Sequence, residues 1–373
     1  MQQRLSYVDG LRAIAVLAVV VEHVASYLFQ AGSVPGQITR SGMHGVDLFF
    51  VISGFCLSYP VIARLHEQGV ATFDAVKYLA HRAVRILPPY YIAIVVFAAS
   101  YVLAGAQLFW PDVARQFFFL DSGGAAHMLN PSFWTLPIEF RWYAAFPFLL
   151  WLWIKSPRAF LLAAGMAMIS VATKLSSDDL LVLPAFMLGI VAADLYVRQI
   201  QYSRIALAAA LLFAIYGVFR TPANWDNCIH PAWQMAAFCF VVGCGSSTRA
   251  KVVLSSRWLT WAGTTSYSIY LIHFPVVNYL VHHGLNAVAA GLAGIAAGVA
   301  FWWLVERPFT GGSMLRRRIV AELTAFLPKW LKFFQIPDAV RMGSGGGLPR
   351  TELRIDPDLA LRPLPYVAAE TNV

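Results

Sequence analysis

Apolar stretches long enough to form membrane-spanning helices recur from one end of the chain to the other. A helix needs about 20 predominantly apolar residues to cross a hydrocarbon core of roughly 30 Å. The polar regions between these stretches are short, and none predicts a separate soluble catalytic domain. We therefore predict an all-α, polytopic membrane helix bundle of about ten transmembrane helices, placed at 11–29, 44–63, 86–105, 139–154, 159–174, 180–197, 204–220, 231–246, 262–281 and 286–305.

Composition and charge agree with this interpretation. The 373 residues are 59% hydrophobic and only 13% charged, whereas soluble domains carry about 25% charged residues. Basic residues near short loops resist translocation across a membrane. With the N-terminus in the cytoplasm, nearly all of the 28 Lys and Arg lie inside. This predicts cytoplasmic N- and C-termini in the inner membrane and explains the net charge of +9 without a nucleic-acid partner. The outer exceptions are Arg40, Arg115, Arg141, Lys174 and Arg220.

The chain divides into three predicted regions. Residues 1–309 form the transmembrane domain, and 310–342 form a basic amphipathic cytoplasmic segment that begins near Arg316. Residues 343–373 follow a Gly-rich stretch and are predicted to be weakly ordered. The four cysteines contain no CxxC pair, so we expect neither a disulfide framework nor a metal site.

The first predicted span carries two ionisable residues on one face. Arg12 and His23 are eleven positions apart, a rotation of roughly 1100° that brings them within about 20° of each other and about 16 Å apart along the axis. With Arg12 at the cytoplasmic edge, His23 is predicted near the midplane, while Glu22 is expected to face elsewhere. An imidazole at that depth suits a general base. The alternatives are a structural core histidine and an Arg12 that pairs with Asp9 as a topological anchor.

The third predicted span opens with two arginines. Arg82 and Arg85 are three positions apart, so they share a helix face at the cytoplasmic end. Guanidinium groups are well matched to phosphates, so these two and Arg12 are candidates to bind a phosphorylated soluble donor. Plain topological arginines are the equal alternative.

Three further places carry polar residues inside predicted spans. In the ninth span, Ser266, Tyr270 and His273 lie at helical spacing, which indicates either a site or a hydrogen-bond network between helices. Glu139 lies among aromatics at the outer end of the fourth span, where it is a candidate to orient the histidine or bind a hydroxyl acceptor. Asp47 begins the second span, where a helix dipole favours a carboxylate.

Six segments, taken together and in order, resemble the integral membrane acyltransferase-3 family, which acylates sugars and related hydroxyl compounds. The resemblance covers most of residues 5–309. It is carried by Tyr7-Val-Asp-Gly-Leu-Arg12 through His23, by Gly45-Val-Asp-Leu-Phe-Phe-Val-Ile-Ser-Gly54, by Arg82-x-x-Arg85-Ile-Leu-Pro, by Phe133-Trp-Thr-Leu-Pro-Ile-Glu139, by Ser266-Tyr-Ser-Ile-Tyr-Leu-Ile-His273 and by Val305-Glu-Arg-Pro308.

The resemblance implies an O-acyltransferase that uses acyl-CoA, by default acetyl-CoA, and no metal. The family's functional pattern falls on Arg12 and His23, its paired arginines on Arg82 and Arg85, and its acidic residue on Glu139. The family more often shows Ser-Val-Glu-Glu-Gln where this chain has Leu-Pro-Ile-Glu-Phe-Arg. The donor would bind from the cytoplasm, and the acceptor would be a hydroxyl of a sugar, polysaccharide or lipid-linked glycan on the outer side.

In this scheme His23 acts either as a general base or as a covalent acyl carrier. A transporter or flippase of a glycan or lipid-linked substrate is the main alternative, because polar residues at mid-depth also mark transport paths. A scaffold subunit is a third alternative, but it would not explain why Arg12 and His23 lie on one face of the first helix.

Overall fold

The computed structural model describes residues 5–30, 32–69, 73–105, 107–120, 129–175, 177–220, 230–311 and 313–326. All regular secondary structure in these ranges is helical, which confirms the predicted all-α class. The helices are α1 Ser6–Ala25, α2 Val34–Arg40, α3 Gly45–Gln68, α4 Ala75–Leu103, α5 Trp110–Phe117, α6 Thr135–Lys155, α7 Pro157–Ala172, α8 Asp178–Leu181, α9 Leu183–Val197, α10 Ser203–Arg220, α11 His230–Ser246, α12 Thr248–Leu254, α13 Arg257–Thr264, α14 Ser266–His282, α15 Ala287–Phe301 and α16 Met314–Phe326. Short 3-10 turns precede α3 and α6, and a π-helical turn, Trp302–Glu306, continues α15.

Five helical segments of the described chain are long and apolar enough to cross a membrane, which indicates a multi-pass membrane protein. A sixth is added if α11 and α12, which bend by 101° at their junction, form one broken span. Each of the ten predicted spans falls on helix, but the count of ten and the side on which the termini lie stay predictions. The five segments are Val34–Gln68, Ala75–Leu103, Asp178–Val197, Ser203–Arg220 and Ala287–Phe309.

Two predicted boundaries were wrong, each for a local reason. The third span was placed at 86–105, but α4 begins at Ala75 because the Asp74 carboxylate accepts a hydrogen bond from the Lys77 amide at 2.9 Å and caps the helix. The ninth span, 262–281, is divided between α13 and α14 at Thr265. The paired arginines therefore lie inside α4 rather than before it.

The first helix lies at the centre of the bundle. It packs against α3, α13 and α14, and Leu11, Ala15 and Val16 are fully buried. A helix that is surrounded on several sides directs its polar side chains at its neighbours rather than at lipid. The two ionisable residues of its predicted functional face are therefore inside the protein.

Helices α3 and α9 approach so closely that their backbones touch. A Cβ atom on Gly54 would lie 2.1 Å from the Phe186 carbonyl oxygen, and one on Gly189 would lie 2.2 Å from the Val51 carbonyl oxygen. Small residues permit such approaches between membrane helices. The crossing fixes the part of α3 that carries Ser53 and Cys56.

The last described helix packs on the start of α4. Val320 of α16 is buried against Ala80 and Val84, and Arg316 Nη2 lies 3.3 Å from His81 Nδ1. A helix thus lies within the predicted segment 310–342, whereas 343–373 lies outside the described residues. The three-region division stays a prediction.

Candidate active site

A narrow cavity of about 90 Å³ brings together residues from five helices. Four residues predicted to act on donor or acceptor line it together, and Ser266 and Tyr270 complete one wall. Three guanidinium groups and one carboxylate around so small a volume leave an excess of positive charge. The four are Arg12, Arg82, Arg85 and Glu139.

Arg12 is held by two neighbours. Its Nη1 donates to Asp9 Oδ1 at 2.8 Å, and its Nη2 lies 3.2 Å from Cys56 Sγ. The pairing with Asp9 is the one expected of a structural anchor. Because the same guanidinium also lines the narrow cavity, anchoring and ligand binding are compatible at this residue.

Arg82 packs against aromatic rings instead of a carboxylate. Its guanidinium carbon lies 5.8 Å from the ring centre of Tyr143 and 6.0 Å from that of Tyr78, both within reach of a cation–π contact. Its buried Nε has no hydrogen-bond partner among the described residues. A buried donor without a partner is costly, so a ligand that accepts from it would be favoured.

Glu139 is tied to the cavity wall. The Tyr143 hydroxyl donates to the Glu139 carboxylate and lies 3.2 Å from Ser53 Oγ. The suggestion that Glu139 orients His23 was wrong, because a different carboxylate contacts that histidine. Its place among the arginines leaves Glu139 as a candidate acceptor for a substrate hydroxyl.

A second and wider cavity, of about 630 Å³, adjoins the first. Arg12, Cys56 and Arg85 line both cavities and so form their junction. The wide cavity also meets Glu306, whose carboxylate accepts from Ser268 Oγ at 2.6 Å, and Arg316. Burial, and then the positive charge of Arg82, lower the pKa of the Arg316 guanidinium.

His23 lies away from both cavities. It is in the last turn of α1, about 16 Å along the helix from Arg12 at 1.5 Å per residue, and its expected midplane position stays a prediction. Its Nδ1 lies 2.9 Å from Glu22 Oε2, and its ring centre lies 5.2 Å from that of His273 and 4.5 Å from that of Phe274. The expectation that Glu22 faces elsewhere was also wrong.

A polar path on α14 connects His23 with the narrow cavity. His273 is fully buried, and its Nδ1 donates to the carbonyl oxygens of Ile269 and Tyr270 at 2.8 and 3.0 Å. Its ring lies 6.2 Å from that of Tyr270, whose hydroxyl pairs with Thr135 Oγ1 at 2.9 Å in the cavity wall. Ser266 and Tyr270, at one end of the predicted polar face, line the narrow cavity. His273, at the other end, lies against His23.

Asp47 is not part of either cavity. It is fully buried, and its carboxylate contacts His44, His230 and Gln234 at the start of α3 and α11. Its expected role, support of the substrate or of the structure, stays a prediction.

Comparison with known proteins agrees with this arrangement. The family profile described as "Acyltransferase domain" matches residues 5–307. The chain belongs to the acyltransferase-3 family. The family assignment and the O-acetyltransferase relatives identify the protein as an acyltransferase.

The chain is similar to two bacterial proteins whose names refer to an exopolysaccharide and to peptidoglycan. It is 28% identical over 333 residues to the exopolysaccharide production protein ExoZ of Rhizobium meliloti, covering 80% of this chain and 98% of that one. It is 24% identical over 341 residues to the peptidoglycan O-acetyltransferase OatA of Listeria monocytogenes, covering 73% of this chain and 49% of that one. The chain thus spans nearly all of the first relative and about half of the second. No solved structure matches it significantly.

The acyltransferase has site residues that sequence reasoning missed. Tyr143, Cys56 and Ser53 line the narrow cavity, yet none is unusual inside an apolar helix. Glu306 lies in the family segment Val305–Pro308, just past the end of the tenth predicted span, so no intramembrane carboxylate pointed to it. Glu22 lies inside the first predicted span, but adjacent helix residues were expected to point in different directions.

Proposed function

We propose that the protein is a membrane O-acyltransferase that moves an acyl group, most simply acetyl, from cytoplasmic acyl-CoA to a hydroxyl of a sugar, polysaccharide or lipid-linked glycan on the outer side. We further propose ten spans with both termini in the cytoplasm. Family membership supports acyl transfer, and the printed names of the two relatives support a polysaccharide or cell-wall acceptor. The observation that carries the proposal is the pair of adjoining cavities with guanidinium groups at their junction.

The wide cavity suits the nucleotide end of the donor. CoA carries several phosphate charges, and charge-assisted hydrogen bonds from guanidinium groups are among the strongest contacts a protein offers to them. Arg12, Arg85 and Arg316 line this cavity. The pantetheine arm would then pass the junction at Cys56 and bring the thioester into the narrow cavity beside Arg82.

The narrow cavity suits a short acyl group. Its volume of about 90 Å³ is a small fraction of the 630 Å³ next to it. About half of its lining residues are aromatic or aliphatic, and several of them, such as Tyr143 and Leu136, are buried side chains that a long acyl chain would have to displace. Acetyl is the donor group that requires the least rearrangement.

His23 has the surroundings of a proton-transfer group. As a base it would take the proton of the acceptor hydroxyl, whose oxygen attacks the thioester carbonyl while the C–S bond breaks and CoA leaves as the thiol. As a nucleophile its ring nitrogen would take the acyl group first and then pass it to the hydroxyl. Glu22 stabilises the positively charged imidazole in either route. Because His23 does not line the narrow cavity, both routes require the thioester to move from that cavity toward His23, along the side of α14 that carries Tyr270 and His273.

The test is release of CoA thiol from acetyl-CoA by protein in lipid nanodiscs, with and without a polysaccharide acceptor. Arg82→Gln should raise KM for acetyl-CoA by roughly 10- to 150-fold, since hydrogen bonds to charged groups contribute about 1.5–3 kcal/mol. Arg204→Gln is the matched control, because Arg204 is an exposed arginine at the start of α10. His23→Ala should abolish transfer while acetyl-CoA still binds.

Three results would contradict the proposal. Folded wild-type protein that never binds or cleaves acetyl-CoA fits the transporter alternative instead. Equal KM values for Arg82→Gln and Arg204→Gln would remove the cavity from donor binding. Full activity of His23→Ala would remove the histidine from the chemistry.

A further inference from the structure

A second polar cluster lies outside both cavities and is not used by the proposed reaction. His44 precedes α3, Asp47 lies in its first turn, and His230 begins α11. All three side chains are buried, with 6% exposure or less. One ligand atom of each lies within 4.8 Å of the others. We propose that this cluster is a binding site for a d-block dication, with zinc as the best match.

The donor set has the chemistry of a zinc site. His44 Nδ1 lies 2.7 Å from Asp47 Oδ2, and His230 Nδ1 lies 3.2 Å from the same oxygen. Two imidazoles and a carboxylate are a common ligand set for zinc, which binds nitrogen at about 2.0–2.1 Å in a tetrahedron. Ligand atoms in such a tetrahedron are about 3.3 Å apart. The His230 separation already matches that value, and the His44 ring has to retreat by only about half an ångström.

Charge balance also favours a cation here. Asp47 is fully buried, and within the described residues its contacts are two imidazoles and the amide of Gln234. A buried carboxylate without a counter-charge is strongly unfavourable. A dication held by Asp47 and the two imidazoles would supply that charge at the carboxylate itself. Binding through Nδ1 would leave the proton of the neutral His44 ring on Nε2.

Unpaired polar atoms beside the cluster support the same conclusion. Gln234 is fully buried; its Nε2 donates to the Leu181 carbonyl oxygen at 2.7 Å, while its Oε1 has no partner in the described part of the chain. Because Gln234 Nε2 also donates to Asp47 Oδ1 at 3.3 Å, Oε1 would become a fourth ligand only after the amide rotates. His44 is stacked on Trp233 with ring centres 4.9 Å apart, which fixes the plane of the ring.

The ligands come from segments far apart in the chain, so the metal would tie α11 to α3. That link is independent of donor binding, since none of the three residues lines either cavity. It also explains why the sequence predicted no metal. The ligands are separated by 183 positions between Asp47 and His230, and no short motif reveals them.

The experiment measures metal in full-length protein purified in detergent through a tag without histidines. After equimolar zinc and buffer exchange, mass spectrometry should find about one zinc per chain. His44→Ala/His230→Ala should retain less than about a tenth of that amount. His282→Ala/His283→Ala is the matched control, because these exposed histidines bond only to backbone carbonyls in the described structure, and it should retain the metal.

A second measurement avoids any dependence on how the variants fold. Cobalt added to the metal-free wild-type protein should give the visible absorption bands of a tetrahedral site, and zinc should remove them. Wild-type protein that holds neither metal in stoichiometric amount would overturn the proposal. Equal loss of zinc in the control variant would overturn it as well.

Discussion

The close crossing of α3 and α9 makes a quantitative prediction about stability. In Gly54→Ala the new Cβ would lie 2.1 Å from the Phe186 carbonyl oxygen, so the helices must separate by about 1 Å or more to restore contact distance. Overpacking costs typically 1–3 kcal/mol, and helix propensity returns up to about 1 kcal/mol. Because the clash is with rigid backbone, we expect a net loss of about 2 kcal/mol in the free energy of unfolding.

The assay is equilibrium unfolding of the detergent-solubilised protein by increasing SDS, followed by tryptophan fluorescence. Gly189→Ala should behave like Gly54→Ala, because its Cβ would lie 2.2 Å from the Val51 carbonyl oxygen. The double variant should lose less than the sum of the two, since one separation of the helices relieves both clashes.

The matched control is Gly165→Ala on α7, where an added Cβ meets no atom within 4 Å. It should be neutral or slightly stabilising, because alanine favours helix over glycine. If Gly54→Ala and Gly165→Ala unfold at the same SDS concentration, the backbone contact between α3 and α9 does not exist as described, and the reasoning fails.

Two further predictions concern the proposed reaction. Glu22→Gln should lower kcat by roughly 10- to 150-fold, because it removes a charged hydrogen bond to His23. KM for acetyl-CoA should not change, since the donor cavity stays intact. An unchanged kcat in initial-rate assays would show that Glu22 plays no part. Maleimide labelling of Cys56 should slow when acetyl-CoA is present, because its thiol lies at the junction of the cavities. Cys239 and Cys244 line neither cavity, so their labelling, measured in the same mass-spectrometric digest, is the internal control. If acetyl-CoA slowed maleimide labelling equally at all three thiols, the proposed donor path would be contradicted.

The sequence predicted the helical class and much of the narrow cavity. Apolar stretches of about 20 residues have few alternatives to a helix, and ionisable residues inside them turn inward because lipid penalises them. This logic singled out Arg12, Arg82, Arg85 and Glu139 one by one, and the structure brings all four to one cavity. Guanidinium chemistry had grouped the three arginines as a donor site, and the family resemblance connected Glu139 with the same reaction.

What the sequence did not predict depends on tertiary contacts and helix ends. The first span was expected to begin at residue 11, whereas α1 begins at Ser6. Glu22 lies in the last turn of α1, and its flexible side chain contacts His23 although the two residues are adjacent in the helix. The partners of Asp47 come from across the chain, and no local pattern encodes them.

The junction of the two cavities has a consequence for the membrane itself. A protein that lets a soluble donor reach deep into a bilayer risks opening a leak for protons and metal cations. Arg12 and Arg85 place two fixed positive charges at the point where the wide cavity meets the narrow one. Such charges repel cations in a confined passage while attracting an anionic ligand. The arginines proposed to bind the donor would thus also hinder the passage of cations across the membrane. Replacing them would weaken this barrier to ions as well as the binding site.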